Sequence, residues 1–90
     1  MRFEWDPFKA AANLRKHGVT FAEAATALLD PLSKTALDPD HSISEHRLLT
    51  FGESWRGRLV VVSYTKRKGK TRIISARMAT KRERKIYEED

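Results

Sequence analysis

Residues Arg72 to Tyr87, RIISARMATKRERKIY, constrain the fold more than any other stretch, because a strand pattern there runs straight into a helix pattern. Arg72-Ile73-Ile74-Ser75-Ala76-Arg77 alternates. Arg72, Ile74 and Ala76 fall on one side, and Ile73, Ser75 and Arg77 on the other. β-branched residues sit mid-run, as a pleated surface prefers. Then the period changes. Thr80 and Glu83 have capping-box spacing, in which each side chain satisfies the other residue's backbone N–H. Arg84/Glu88 and Lys85/Glu89 follow as i,i+4 pairs. Arg77 is thereby placed at the end of a strand, about one turn before the positive end of a helix dipole, where an anion is favoured.

Ninety residues predict a single domain, 1–90, with one modest core. With 40% hydrophobic and 33% charged residues the chain reads as globular rather than disordered. No apolar run approaches a membrane span, and the start MRFEWD lacks a signal-peptide core. There is no cysteine, which removes disulfides and thiol chemistry and fits a cytosolic protein. The net charge of +6 is unevenly spread. Residues 1–44 hold five Lys/Arg and six Asp/Glu, net −1; residues 45–90 hold thirteen and six, net +7. The second half is therefore a surface for a polyanion, whether nucleic acid or an acidic protein.

Taken in order, Arg2 to Trp5 reads as a short opening strand. Asp6-Pro7 predicts a helix start, with Asp as cap and Pro at the first helical position. Phe8, Ala11, Ala12 and Leu14 form its expected apolar stripe. Arg15, Lys16 and His17 occupy the last turn, and Gly18 ends it. Thr20 and Glu23 repeat the capping-box spacing. Phe21, Ala24, Ala25, Leu28 and Leu29 then recur as a buried face, closed by Asp30-Pro31. Ser33 to Leu37 reads as a weak strand. Asp38-Pro39-Asp40-His41 reads as a solvated polar loop rather than a metal site. His46 to Glu53 is a strand, Trp55-Arg56-Gly57 a turn, and Arg58 to Lys66 the most apolar strand and the expected centre of the sheet. Arg67-Lys68-Gly69-Lys70 is a cationic hairpin turn. The order β-α-α-β-β-β-β-α predicts an α+β fold, an antiparallel sheet with its helices on one face.

Three stretches carry a resemblance to a known family. FEWDPFKAAANLRKHGVTFAEAA, DPDHSISEHRLLTFGES, and RGRLVVVSYT followed by RIISARMATKRERKIYEE resemble the BrnT-type toxins, RelE-like ribonucleases of bacterial type II toxin–antitoxin systems. The likeness covers nearly the whole chain in order, and KHGV and RIISAR-x-AT-x-x-E-R are its most specific parts. It implies a small RelE-like fold with two N-terminal helices and one C-terminal helix. It also implies RNA cleavage that arrests translation and growth, and a BrnA-like antitoxin that binds DNA and represses the shared operon. The ribosome joins RNA among the candidate partners, and no membrane is implied.

RNA cleavage without a metal activates a ribose 2′-OH against the adjacent phosphorus. It needs a base, cations for the charge developing on phosphate, and an acid for the leaving oxygen. Arginine suits the clamp, because its planar fork binds two phosphate oxygens and stays charged. Arg77 is the first candidate and Arg58 the second. His17, in the KHGV motif, suits acid–base work by its ordinary pKa, and its competing role is to bond the last carbonyls of its helix. Glu83 is a candidate base, set against its capping duty. Tyr87, one turn beyond Glu83, is a candidate because RelE-like enzymes often use a late tyrosine. Lys66, Arg67, Lys68, Lys70 and Arg72 read as cations that track an RNA backbone. Three histidines and no cysteine offer no structural metal set, and no cofactor is expected. The alternative class is a non-catalytic basic module that binds nucleic acid or an acidic protein. No helix-turn-helix signature supports independent DNA binding.

Overall fold

The computed structural model describes residues 2–38 and 46–89. Their elements are β1 (Arg2–Glu4), α1 (Pro7–His17), α2 (Phe21–Leu28), β2 (Lys34–Leu37), β3 (Leu48–Glu53), β4 (Leu59–Arg67), β5 (Lys70–Met78) and α3 (Lys81–Glu88). The fold is α+β, with the element order the sequence predicts. Pro39, Asp40 and His41 of the expected polar loop lie outside the described residues.

The helix ends form where the sequence places them. The Asp6 carboxylate accepts from the Phe8 N–H at 2.8 Å. Gly18 stops α1 in the left-handed region at φ 70°, which glycine adopts without steric cost. Thr20 and Thr80 each accept from the N–H three residues on. At the hairpin, Lys68 and Gly69 both take positive φ, 50° and 77°. Positive φ at both residues is what a two-residue turn needs to match the twist of its strands.

The five strands form one sheet in the order β1-β5-β4-β3-β2, which puts β4 at its centre as expected. The expected antiparallel sheet needs one correction. β1 pairs with β5 in parallel, through Arg2↔Lys70, Phe3↔Thr71 and Glu4↔Arg72. The two strands are far apart in sequence, so no tight turn forces them to run oppositely.

Helices α1 and α2 cover one face. Val19, Phe21, Ala24 and Ala27 pack there with Val60, Val62, Tyr64, Ile73 and Ala76. Gly52 on β3 lies under α2, and a Cβ on it would come within 2.2 Å of the Ala27 carbonyl oxygen. The helix can approach the strand so closely only because that side chain is missing. The helices do not all share this face, contrary to the sequence reading. Helix α3 lies on the other one.

Two apolar stripes also differ from expectation. On α1, Phe8 is 85% exposed, and Ala11, Ala12 and Leu14 face outward too. The side chain that α1 buries is Asn13. Its amide donates to the Val19 and Ala76 carbonyls at 3.0 and 2.8 Å and accepts from the Ala76 N–H at 3.1 Å. β1 pairs with β5 only as far as Arg72, so Asn13 satisfies backbone groups that would otherwise be left at an open edge. On α2, Leu29 falls after the helix and is exposed, while Ala27 and Glu23 take the inside.

Candidate functional site

The alternation read for β5 breaks at Ile74. Ser63 pairs with Ser75, but Tyr64 pairs with Ile73, so a bulge absorbs one residue of β5. Arg72 therefore joins Ser75 and Arg77 on one face, while Ile73 and Ala76 point into the core. Without the bulge, Arg72 and Arg77 would stand on opposite faces. Arg67 and Lys70 form the next pair along that face, the one away from α1 and α2. Lys66 pairs with Thr71 on the α2 side, and Lys68 is in the turn. Of the five predicted backbone-tracking cations, Arg67, Lys70 and Arg72 thus share a face with Arg77. Arg72 and Lys70 also reach Glu4, at 3.7 and 4.0 Å. Arg67 is six residues along β4 from Val61, the partner of Arg77, which separates the hairpin from Arg77 by about 20 Å.

One row of residues crosses this face. Lys34, Phe51, Val61 and Arg77 stand directly opposite one another on β2, β3, β4 and β5. Three strand spacings make the row about 14 Å long, and an eight-residue helix is about 12 Å long. Helix α3 lies along it. At one end Glu83 meets Arg77, and at the other the Lys34 ammonium donates to the Ile86 carbonyl at 2.9 Å. This placement accounts for the burial of Val61 and Leu59, although α3 itself buries no side chain.

The Arg77 fork is fully engaged. Nη1 and Nη2 donate to the two carboxylate oxygens of Glu83 at 2.7 and 2.8 Å. The same carboxylate accepts from the Thr80 N–H at 2.9 Å, completing the capping box. The Arg77 bonds come first in holding the Glu83 carboxyl down at about 2, while partial burial works against them. The guanidinium of Arg77 and the Thr80 N–H at the start of α3 thus converge on one carboxylate, that of Glu83. Beside them, Ser63 Oγ is the buried side-chain polar atom without a hydrogen-bond partner among the described residues.

Arg58 belongs to a different assembly. Its guanidinium bonds both carboxylate oxygens of Glu23 and donates to the Gly18 carbonyl at 3.1 Å. Glu23 is buried, and it also accepts from Ser54 Oγ at 2.7 Å. The bond from Arg58 leads in lowering the Glu23 pKa, against the upward push of burial. The sequence offers Glu23 a capping box, but its carboxylate turns inward to Arg58 instead. That arginine lies on the α2 side of the sheet, so Arg58 and Arg77 are not brought together.

Tyr87 donates its hydroxyl to Asp30 Oδ2 at 2.6 Å. Asp30 also accepts from the backbone N–H groups of Glu53 and Leu32, at 2.8 and 2.9 Å. The Asp30 bond is the leading cause that pushes the Tyr87 hydroxyl up to about 12, which keeps it neutral. Burial pushes Asp30 upward, but these three donors outweigh it and hold the acid below its ordinary value. His17, half-buried at the end of α1, stands on the other side of the sheet from Arg77 and Glu83. Among the described residues no three His, Asp or Glu side chains gather as metal ligands, and no helix is long and apolar enough to cross a membrane. The sequence pattern gives Asn13 no role and Glu23 only a capping one. No residue-type signal marks a helix-face Asn as buried, and only the apolar neighbours of Glu23 hint at its burial.

The family described as the ribonuclease toxin BrnT of type II toxin–antitoxin systems matches residues 5–83. The chain belongs to that family. Among solved structures, it is similar to the Brucella abortus ribonuclease toxin BrnT, with 26% identity and a TM-score of 0.68. That likeness covers 90% of this chain and 99% of the Brucella one. No curated protein sequence matches it. The stretch matched to the BrnT family contains Arg58, Arg77, Glu83 and His17 and stops short of Tyr87. Membership makes RNA the substrate class and an antitoxin the implied partner.

Proposed function

We propose that this chain is a RelE-like endoribonuclease that acts without a metal, arrests translation and growth, and is neutralised by a BrnA-like antitoxin that binds DNA and represses the operon. It acts in the cytoplasm, on free or ribosome-bound RNA. The observation that carries this reading is the engagement of the Arg77 fork by a carboxylate at the capped start of α3. The face around it also bears Arg67, Lys70 and Arg72.

The Glu83 carboxylate marks where two oxygens of a phosphate would sit. RNA docking along the Arg67–Arg77 face displaces Glu83 and leaves the phosphate on Arg77. As the 2′-OH attacks, charge grows on the non-bridging oxygens, and a bidentate guanidinium holds that charge more tightly than the ground state. Glu83, freed from Arg77, is no longer held by the bonds that lower its pKa most and becomes a usable base for the 2′-OH. Tyr87, neutral and one turn further along α3, leaves Asp30 with the helix when Glu83 is displaced, and its freed hydroxyl is then the donor suited to the leaving 5′ oxygen. Arg58 holds Glu23 and keeps α2 on the sheet, and His17, on the other side of the sheet, stands apart from the reacting groups.

The test is induced expression with and without the neighbouring reading frame, together with RNA cleavage by the purified chain in a chelator. Growth arrest relieved by the neighbour, and cleavage that persists without divalent ions, support the proposal. Cleavage abolished by the chelator and restored by one divalent ion contradicts it.

A further inference from the structure

A groove of about 440 Å³ lies where the end of α2, the β3–β4 turn and the end of α3 meet. Its walls carry Trp55, Leu32 and Leu29, which are 74%, 72% and 58% exposed. Most large hydrophobics on a chain this charged are buried or scattered, so three along one groove mark an interaction surface. The rim is acidic, with Asp30 and Glu53, on a protein of net charge +6. The groove is also held in shape. Trp55 N–H donates to Thr26 Oγ1 at 3.0 Å, and Asp30 ties together the backbones of Leu32 and Glu53 and the Tyr87 hydroxyl. A preformed groove loses little conformational freedom when a partner fills it.

We infer that this groove docks the antitoxin, through an apolar segment of it that carries at least one lysine or arginine. This rests on the toxin reading given above. Charge complementarity selects the occupant. An acidic rim repels an RNA backbone but attracts a cationic side chain beside the anchor that enters between Trp55 and the leucines. The groove lies at the opposite end of β4 from the cationic hairpin, so the antitoxin can engage it without touching Lys68. Tyr87 forms part of the wall. A segment seated there fixes the end of α3 against Asp30 and thereby holds Glu83 on Arg77. The antitoxin then neutralises the toxin by stabilising the state in which the phosphate receptor is filled.

The test uses Leu32→Ser and Trp55→Ala, singly and together, with Glu53→Lys as a charge reversal. All three residues are exposed, and thermal melts confirm folding. The expected result is unchanged growth arrest when the Leu32 and Trp55 variants are expressed alone. Protection by the co-expressed neighbouring gene product is lost, and its affinity falls at least 100-fold for the double variant. Wild-type affinity in the double variant overturns the inference. Loss of RNA cleavage in folded Trp55→Ala also overturns it and assigns the groove to the substrate. If the wild-type chain proves non-toxic yet its complex still depends on Trp55 and Leu32, the docking surface stands and the toxin reading fails.

Discussion

Arg58 and Arg77 reach out from opposite faces of the same sheet, and each is gripped by a glutamate from a different helix. The two glutamates differ in burial. Glu23 is 2% exposed beneath Arg58, whereas the Arg77–Glu83 pair is open to solvent on one side. Removing a partner therefore has different consequences at the two sites.

Arg58→Ala strips a buried carboxylate of its bidentate cation and leaves it Ser54 and the more distant Arg56, 3.7 Å away, a defect that costs more than the loss of an exposed pair. Thermal melts of both alanine variants are expected to show the larger drop for Arg58→Ala. Arg58→Ala with Glu23→Gln is expected to recover part of it. A fully stable Arg58→Ala that lacks activity would return this arginine to the catalytic set.

Gly52→Ala should be among the most harmful single changes in the fold. The added methyl would sit 2.2 Å from a backbone oxygen that cannot rotate away, so α2 must lift from β3. A loss of about 3 kcal/mol or more is expected in chemical denaturation, the upper end of overpacking costs.

Stability should fall on acidification in a defined window. The folded-state pKa of Glu83, about 2, lies below its ordinary 4.5. Its contribution is therefore complete above about 4.5 and is lost as pH falls toward 2. Solvent on the Arg77 side limits the contribution to about 1 kcal/mol or less. Denaturation midpoints for wild type and Glu83→Gln are expected to converge as pH drops through that window.

Binding to RNA should depend on salt through the hairpin. Neutralising Lys66, Arg67, Lys68 and Lys70 is expected to flatten the log-affinity against log-salt slope by about 0.7 for each phosphate no longer bound. An unchanged slope would remove the hairpin from the RNA path.

Much of the fold was legible because caps and turns are local chemistry. Asp6-Pro7, Gly18, Thr20, Thr80 and Lys68-Gly69 each fix an end or a turn by their own backbone and side-chain preferences. The site was less so, because its geometry depends on interactions between residues distant in sequence. Thr20-x-x-Glu23 and Thr80-x-x-Glu83 carry the same signature, yet one glutamate completes its box and the other turns inward to an arginine 35 residues away. The Ile74 bulge left no mark in a run of alternating residues, and it decides which arginines share a face. The outward stripe of α1 looked like a core stripe because periodicity gives a face but not its direction. Asn13 settled that direction through a bond to a strand 63 residues on.

The central claim is that Arg77 acts on RNA and does not hold the fold. Cleavage by purified Arg77→Ala, measured beside its melting temperature, tests it most directly. Little change in melting is expected, because the pair is partly exposed and the capping box remains. Cleavage is expected to fall by about 100-fold or more, as when a donor to a developing anion is removed. Arg77→Lys should recover little, since one ammonium cannot reproduce the fork. A folded Arg77→Ala that cleaves RNA at the wild-type rate would contradict the account.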